Sequence, residues 1–174
     1  MEFIKVDEYI ESSNHLGFWE RYIYQFDYNP QQSINEILDG IFKSEILFKT
    51  EKLTSEQDVL FKEYEIKSNN HSYTDKIEFN DLEKLNFKKY KSRIDEIKKE
   101  KWDEEYLANF IKFFDKSTKW ITDNNYQNEQ IFFIDSQNIT EEKLVEFMYY
   151  SYIITTIIIS FSDSKIIIIN HIGD

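Results

Sequence analysis

The side chains with the broadest chemical repertoire in this chain are its three histidines, and their spacing favours no metal or catalytic site. His15, His71 and His171 lie far apart in the sequence, and none belongs to an HxxxH or HxH pattern. A zinc site would need carboxylates from distant segments to converge on them. The chain also lacks cysteine and any Gly-x-Ser-x-Gly segment, the sequence signs of a thiolate nucleophile and of a hydrolase elbow. We expect surface or turn histidines, no catalytic residue, no metal and no cofactor.

Carboxylates are the most abundant charged groups, and two clusters of them lie where helices are predicted to begin. The chain has 33 Asp and Glu against 21 Lys and Arg, a net charge of −12. Such a surface repels nucleic acid and membranes and speeds encounter with basic proteins. Acidic residues also stabilise the first turn of a helix, so each cluster has a structural explanation as well. The predicted partner-binding residues are Asp103, Glu104, Glu105, Glu141, Glu142 and Glu146, with Tyr149 and Tyr150 beside them.

The basic cluster between Lys88 and Lys101 has two interpretations, nucleic-acid binding and a solvated helix face. Neighbouring aromatic residues favour the first interpretation. Asp95, Glu96 and Glu100 interrupt the cluster, however, and form the Glu–Lys spacing that stabilises exposed helices. Residues 51–100 carry 11 basic and 12 acidic groups, against 4 and 9 in residues 1–50 and 6 and 12 in residues 101–174. The negative field therefore comes from the two ends of the chain, and we expect a solvated helix face in the middle.

The clearest structural signal lies between Gln130 and Asn170, where we predict a strand, a helix and a β-hairpin. Residues 131–134 are a short apolar run, and Thr140 followed by two glutamates is a good helix start. The buried stripe of that helix is predicted to contain Leu144, Phe147, Met148 and Tyr152. Residues 153–161 and 166–169 are rich enough in isoleucine to be strands buried on both faces, joined by Ser162-Asp163-Ser164.

Two further helices are predicted with the apolar spacing of one buried face. The first covers residues 31–43, after a turn at Asn29-Pro30. Residues 80–124 are helix-rich throughout, starting with Leu82 and Leu85, and contain a strong helix that begins at residues 103–105. Its predicted inner side consists of Tyr106, Leu107, Phe110, Phe113, Phe114, Ser117 and Ile121.

The remaining segments are less clearly patterned. Residues 18–26 fit either a helix or a strand, and their aromatic content leans toward a strand. Residues 46–48 and 59–66 are predicted as strands, with a helix over residues 54–66 as the alternative. The other predictions are a short strand at residues 2–6, a helical turn or loop at 7–14, and a loop at 68–72.

The composition predicts one α+β domain over residues 1–174, with a mainly antiparallel sheet packed against several amphipathic helices. The chain is 41% hydrophobic and 17% aromatic, which suffices for a core, and its 3 Gly and 1 Pro are too few for an all-β fold with frequent turns. No segment resembles a signal peptide or a membrane span. We expect a cytoplasmic protein.

A small, cysteine-free, acidic and aromatic-rich chain that ends FFIDSQNITEEK…IIISFSDSKIIIINHIGD resembles the immunity proteins of bacterial polymorphic-toxin and contact-dependent inhibition systems. The resemblance lies in general character and assigns no functional residues. It implies a cytoplasmic inhibitor that binds one cognate toxin domain, often a basic nuclease, and blocks its active site or an exosite. Two alternatives are a small enzyme of an unfamiliar family and a regulatory or scaffold module. The latter would bind a host protein or itself, the isoleucine runs of 153–169 serving as an edge if exposed. The oligomeric state stays open.

Overall fold

The computed structural model forms two compact units. The larger consists of residues 2–28, 82–137 and 150–174, and the smaller of residue 1 with 29–81 and 138–149. The prediction of a single domain over residues 1–174 stays a prediction. The structure describes residues 1–12, 17–44, 49–55, 62–69, 73–74, 77–100, 104–140, 143 and 152–173.

Within these residues the chain forms nine strands and three α-helices. The strands are β1 Phe3–Ser12, β2 Gly17–Phe26, β3 Lys49–Ser55, β4 Lys62–Asn69, β5 Tyr73–Thr74, β6 Glu83–Leu85, β7 Gln130–Asp135, β8 Tyr152–Ser160 and β9 Lys165–Gly173. The helices are α1 Ile34–Lys43, α2 Phe87–Ile97 and α3 Glu104–Asp123.

The larger unit is built on a six-stranded antiparallel sheet in the order β1-β2-β9-β8-β7-β6. This confirms an α+β fold with an antiparallel sheet. The two isoleucine-rich strands lie at its centre, and every residue of β8 is buried, as the isoleucine-rich composition predicts. Because β7 and β2 flank them, the isoleucine runs are interior strands, and the idea that they form an exposed self-association edge is wrong.

One face of this sheet is covered by α2 and α3. Tyr90, Ile94 and Ile97 of α2 are buried in the same core cluster as the inner side of α3 and alternate residues of β7, β8 and β9. On α3, the predicted inner residues Phe110, Phe113, Phe114, Ser117 and Ile121 are buried, while Tyr106 and Leu107 are only half-buried. The helix ends at Asp123, and Asn125 then adopts φ +62°, which stops its continuation.

Several local predictions are corrected by the structure. Residues 7–12 continue β1 and are not a helical turn, because they pair in register with β2. Leu85 lies in β6, paired with Ile131, and not on a helix. Tyr152 begins β8 and so does not belong to a helix stripe. Ser68 and Asn69 end β4 and are not loop residues.

Other predictions are confirmed or fall outside the described residues. Residues 18–26 are a strand, as their aromatic content favours. The strands β3 and β4 pair antiparallel, so residues 54–55 and 62–66 are not helical. The predicted strand at residues 46–48, the predicted loop residues 70–72 and most of the predicted helix after Thr140 lie outside the described residues.

In the smaller unit, α1 begins with a capping box that explains its start at Ile34, three residues later than predicted. The side chain of Ser33 accepts from the backbone N–H of Glu36, and the Glu36 carboxylate accepts from the backbone N–H of Ser33 at 2.7 Å. These reciprocal bonds satisfy two backbone donors that no helical carbonyl can reach.

Replacing Ser33 by alanine is therefore expected to lower the free energy of unfolding by about 1 kcal/mol. Denaturant titration monitored by circular dichroism measures the change. Ser92→Ala, at an exposed position of α2, is the matched control and is expected to have no comparable effect. Equal stability of the Ser33→Ala variant and the unsubstituted protein would show that the box contributes nothing.

Candidate functional site

The first turn of α3 presents two of the predicted partner-binding residues to solvent. Glu104 and Glu105 are both exposed at the start of this 20-residue helix. Further along, Phe110, Phe113 and Phe114 are completely buried and fix the helix to the sheet. The two carboxylates thus extend from a packed element, at the helix end where the dipole favours negative charge.

The other six predicted partner-binding residues lie outside the described part of the chain. They are Asp103, Glu141, Glu142, Glu146, Tyr149 and Tyr150. The prediction that the two acidic clusters serve one partner therefore stays a prediction, and only the Glu104–Glu105 pair has a described position.

A polar network is enclosed between α3 and the sheet, and no sequence pattern predicted it as a unit. The indole Nε1 of Trp19 donates to Ser117 Oγ at 2.7 Å, and Ser117 Oγ lies 2.8 Å from His171 Nε2. Ser117 Oγ also donates to the carbonyl of Phe113 at 3.2 Å, and the ring of Phe114 lies against the imidazole, with 3.7 Å between the centroids. Trp19, Ser117 and His171 are all fully buried.

The protonation state of this network follows from its burial. Burial lowers the pKa of His171 to about 3, so the imidazole is neutral at neutral pH. We assign the proton to Nε2, because His171 then donates to Ser117 Oγ, which accepts two hydrogen bonds and donates one. Nδ1 has no hydrogen-bond partner in the described part of the chain.

This Ser–His pair has the separation of a nucleophile and its base, but its surroundings favour a structural role. A nucleophile must reach a substrate, and neither Ser117 nor His171 has any exposed surface. The prediction of a surface histidine is therefore wrong for His171. Ile167 and Ile169 precede it at strand spacing on the core face, the one sequence signal of its burial. His15 and His71 lie outside the described residues.

Above the network, Lys116 and Glu11 tie β1 to α3. The ammonium of Lys116 lies 4.3 Å from the ring centroid of Tyr9 and 4.4 Å from that of Trp19. Glu11 accepts from Lys116 and pairs with Lys112 at 2.9 Å. Hydrogen bonds from Lys116 and Lys112 lower the pKa of Glu11 to about 2. The Glu11 carboxylate is therefore paired with two lysines of α3.

The basic segment of α2 has a structural contact as well. Arg93 lies 3.4 Å from Asp135 of β7 and 3.7 Å from Glu83 of β6, which joins the helix to the sheet. Burial raises the pKa of Asp135. Lys88, Lys89 and the other lysines of α2 face solvent, in agreement with a solvated helix face. Among the described residues, no group of three or more His, Asp and Glu is arranged to hold a metal ion.

One depression of the larger unit has a volume of about 380 Å³ and is open to solvent. Its lining combines two lysines and one glutamate with amide and apolar side chains: Lys84, Lys89, Glu129, Asn86, Asn128, Gln130 and Leu85. Sites for small organic ligands are enclosed and mainly apolar. A mixed, open lining of this kind is typical of a surface groove, and it contains none of the predicted partner-binding residues.

No family model, curated protein or solved structure matches the chain. Among the helices that the structure describes, none combines the length and apolar character of a membrane span.

Proposed function

We propose that this protein is an immunity protein that binds a cognate bacterial toxin domain of basic character in the cytoplasm and neutralises it without catalysis. The observation that carries the proposal is the exposed pair Glu104 and Glu105 on the first turn of α3, a helix fixed by its buried face. Carboxylates on such a helix attract a cationic surface. Because the helix is already packed, few other side chains need to become ordered on binding, and the entropic cost of association is small.

Two further observations support this proposal. The net charge of −12 gives the whole molecule a field that attracts basic proteins. The Ser117–His171 pair, which has the atom types of a catalytic site, is enclosed in the core and has no surface that a substrate could reach. The second predicted acidic cluster, Glu141, Glu142 and Glu146 with Tyr149 and Tyr150, lies outside the described residues and is part of this proposal as a prediction from the sequence.

Co-expression with the product of the adjacent gene tests the partner. If that product is the toxin, its expression alone is expected to stop growth, and co-expression of this protein is expected to restore growth and give a complex that survives purification. A toxic product that is neither bound nor neutralised by this protein would contradict the proposal for that pair.

Reversing the charge of both carboxylates is expected to slow association with the toxin. We expect the association rate constant of the Glu104→Lys/Glu105→Lys variant to fall about tenfold at low ionic strength, because electrostatic steering is lost. The difference is expected to shrink at high salt, where charges are screened. Stopped-flow or surface-immobilised binding kinetics measure both rates.

The matched control is Asp115→Lys/Asp123→Lys, which changes the net charge by the same amount on the same helix. Asp115 is exposed and lies about 16 Å along the axis from Glu104, beyond the screening length at physiological salt. The control is expected to have a smaller effect on association. If both variants slow association equally, the overall charge and not the start of α3 guides the partner.

A further inference from the structure

The exposed apolar side chains of the described residues concentrate on one strand. Six large hydrophobic side chains are exposed, and five of them lie within the first ten residues. The most exposed are Ile4 at 58% and Ile10 at 52%, both on β1. Scattered single hydrophobics are ordinary on a surface, but a contiguous group marks an interaction site. The six are Met1, Ile4, Val6, Tyr9, Ile10 and Phe79.

This strand is also an edge of the six-stranded sheet. β1 pairs with β2 on one side, and no strand of the described part of the chain pairs with it on the other. The opposite edge, β6, has only three residues, a length that protects an edge from further pairing. β1 has ten residues and lacks that protection.

A β-bulge at Val6 changes which side chains of β1 share a face. Lys5 pairs with Tyr24 and Asp7 pairs with Ile23, so Val6 is the extra residue. Beyond the bulge, Glu8 pairs with Tyr22. Because Tyr22 and Tyr24 are two residues apart on β2, Lys5 and Glu8 lie on the same face, and they form an ion pair there.

The pairing with β2 also shows which apolar residues of β1 share a face. Ile4 and Tyr9 pair with Gln25 and Arg21, four residues apart on β2, and therefore share the helix-covered face. Phe3 and Ile10 pair with Phe26 and Glu20, six residues apart, and share the other face. The strand is thus self-complementary about a centre between Val6 and Asp7.

We propose that β1 pairs antiparallel with β1 of a second copy of this chain, about a two-fold axis between Val6 and Asp7. In this register Lys5 of each copy lies opposite Glu8 of the second copy. Ile4 then lies opposite Tyr9, and Phe3 opposite Ile10. Each pair occurs twice because the interface is symmetric. Opposite charges and apolar partners on directly facing positions are the pairs that stabilise a sheet.

The neighbouring registers are much less complementary. One shift of two residues places Phe3 opposite Glu8 and Ile4 opposite Asp7. The shift in the other direction places Lys5 opposite Ile10 and Ile4 opposite Glu11. The proposed register sets an apolar side chain against a charge only at its centre, where Val6 lies opposite Asp7. Because each shifted register has such mismatches at several positions and loses the Lys5–Glu8 pairs, the sequence of β1 favours the proposed register.

Charge exchange between two variants tests this dimer. The unsubstituted protein, of 21.2 kDa, is expected to show twice that mass in sedimentation equilibrium as its concentration rises. Lys5→Glu and Glu8→Lys are each expected to weaken the dimer about tenfold or more, because like charges then face each other. An equimolar mixture of the two variants is expected to recover the dimer, since each chain then meets opposite charges in the other.

Each variant has like charges at positions 5 and 8, so neither can form the ion pair within its own chain. Recovery of the dimer in the mixture would therefore come only from opposite charges that face each other across two chains. Lys43→Glu, on the exposed Lys43–Asp39 pair of α1, makes the same charge change as Lys5→Glu and is expected to leave the dimer intact. A monomer at every concentration would overturn the proposal and leave the edge for a foreign strand. A dimer that Lys5→Glu does not weaken, or a mixture that stays monomeric, would also overturn it.

Discussion

Replacing Phe114 by alanine is expected to lower the free energy of unfolding by about 3–5 kcal/mol, because the change opens a cavity between α3 and the sheet. Phe114 is fully buried, and its ring lies 4.4 Å from the centroid of Phe110 and 3.7 Å from that of His171. The side chain therefore supports both the apolar core and the imidazole of the polar network. A loss of this size is a large fraction of the stability of an ordinary domain.

Urea or guanidinium titration followed by circular dichroism measures this effect. Phe79→Ala is the control, because Phe79 is 41% exposed and its removal leaves no enclosed cavity; we expect a change below about 1 kcal/mol. If Phe114→Ala proved as stable as Phe79→Ala, the packing of α3 on the sheet described above would be wrong.

Lowering the pH from 7 to 5 is expected to remove about 2 kcal/mol of stability through His171 alone. The folded pKa of His171 is about 3, below the ordinary value of 6.5. Between these two values the unfolded chain binds a proton that the folded chain does not, so stability falls as the pH falls. The contribution is fully present above about pH 6.5 and is lost progressively toward pH 3.

The test compares the pH dependence of unfolding for the unsubstituted protein and for His171→Gln, which cannot titrate. The difference in slope between pH 7 and 5 isolates His171, because the other two histidines contribute equally to both proteins. The pKa of Glu11 is lowered and that of Asp135 is raised. Both proteins contain these two groups, so their effects also cancel in the comparison. Identical slopes would show that the pKa of His171 is the same in the folded and unfolded chains and would contradict this prediction. The comparison holds whether or not the glutamine side chain of this variant forms the hydrogen bond to Ser117 Oγ.

The central strands were predictable because their signal is local. Residues 153–161 and 166–169 are short, isoleucine-rich runs dominated by β-branched side chains, and that length and composition favour a strand buried on both faces. The inner side of α3 was equally predictable from its helical spacing, and five of its seven predicted residues are buried.

The sheet edges were harder to predict because they depend on pairing between distant segments. Leu85 fits a helical stripe, yet its backbone pairs with Ile131 in β6. Residues 7–12 are mostly polar and resemble a turn, but β2 provides a hydrogen-bonding partner along their whole length. Tertiary pairing of this kind overrides local preference.

The candidate functional residues were predictable only as a class. Exposed acidic residues at a helix start follow from the sequence of α3, and Glu104 and Glu105 have that position. The Trp19–Ser117–His171 network joins residues that are 98 and 54 positions apart, and no single-sequence pattern relates such distant groups. The self-complementarity of β1 depends on the bulge at Val6, which only the pairing with β2 reveals.

A stoichiometric titration tests the central claim, non-catalytic neutralisation of a toxin, most directly. Purified protein is added in steps to a fixed amount of the toxin domain, and the residual toxin activity is measured after each step and again after prolonged incubation. We predict a linear loss of activity that reaches zero at one chain per toxin domain and does not progress with time. Complete inactivation by a small fraction of one equivalent, increasing with time, would show an enzyme and contradict the account, and full activity in excess protein would show that the toxin is not its target.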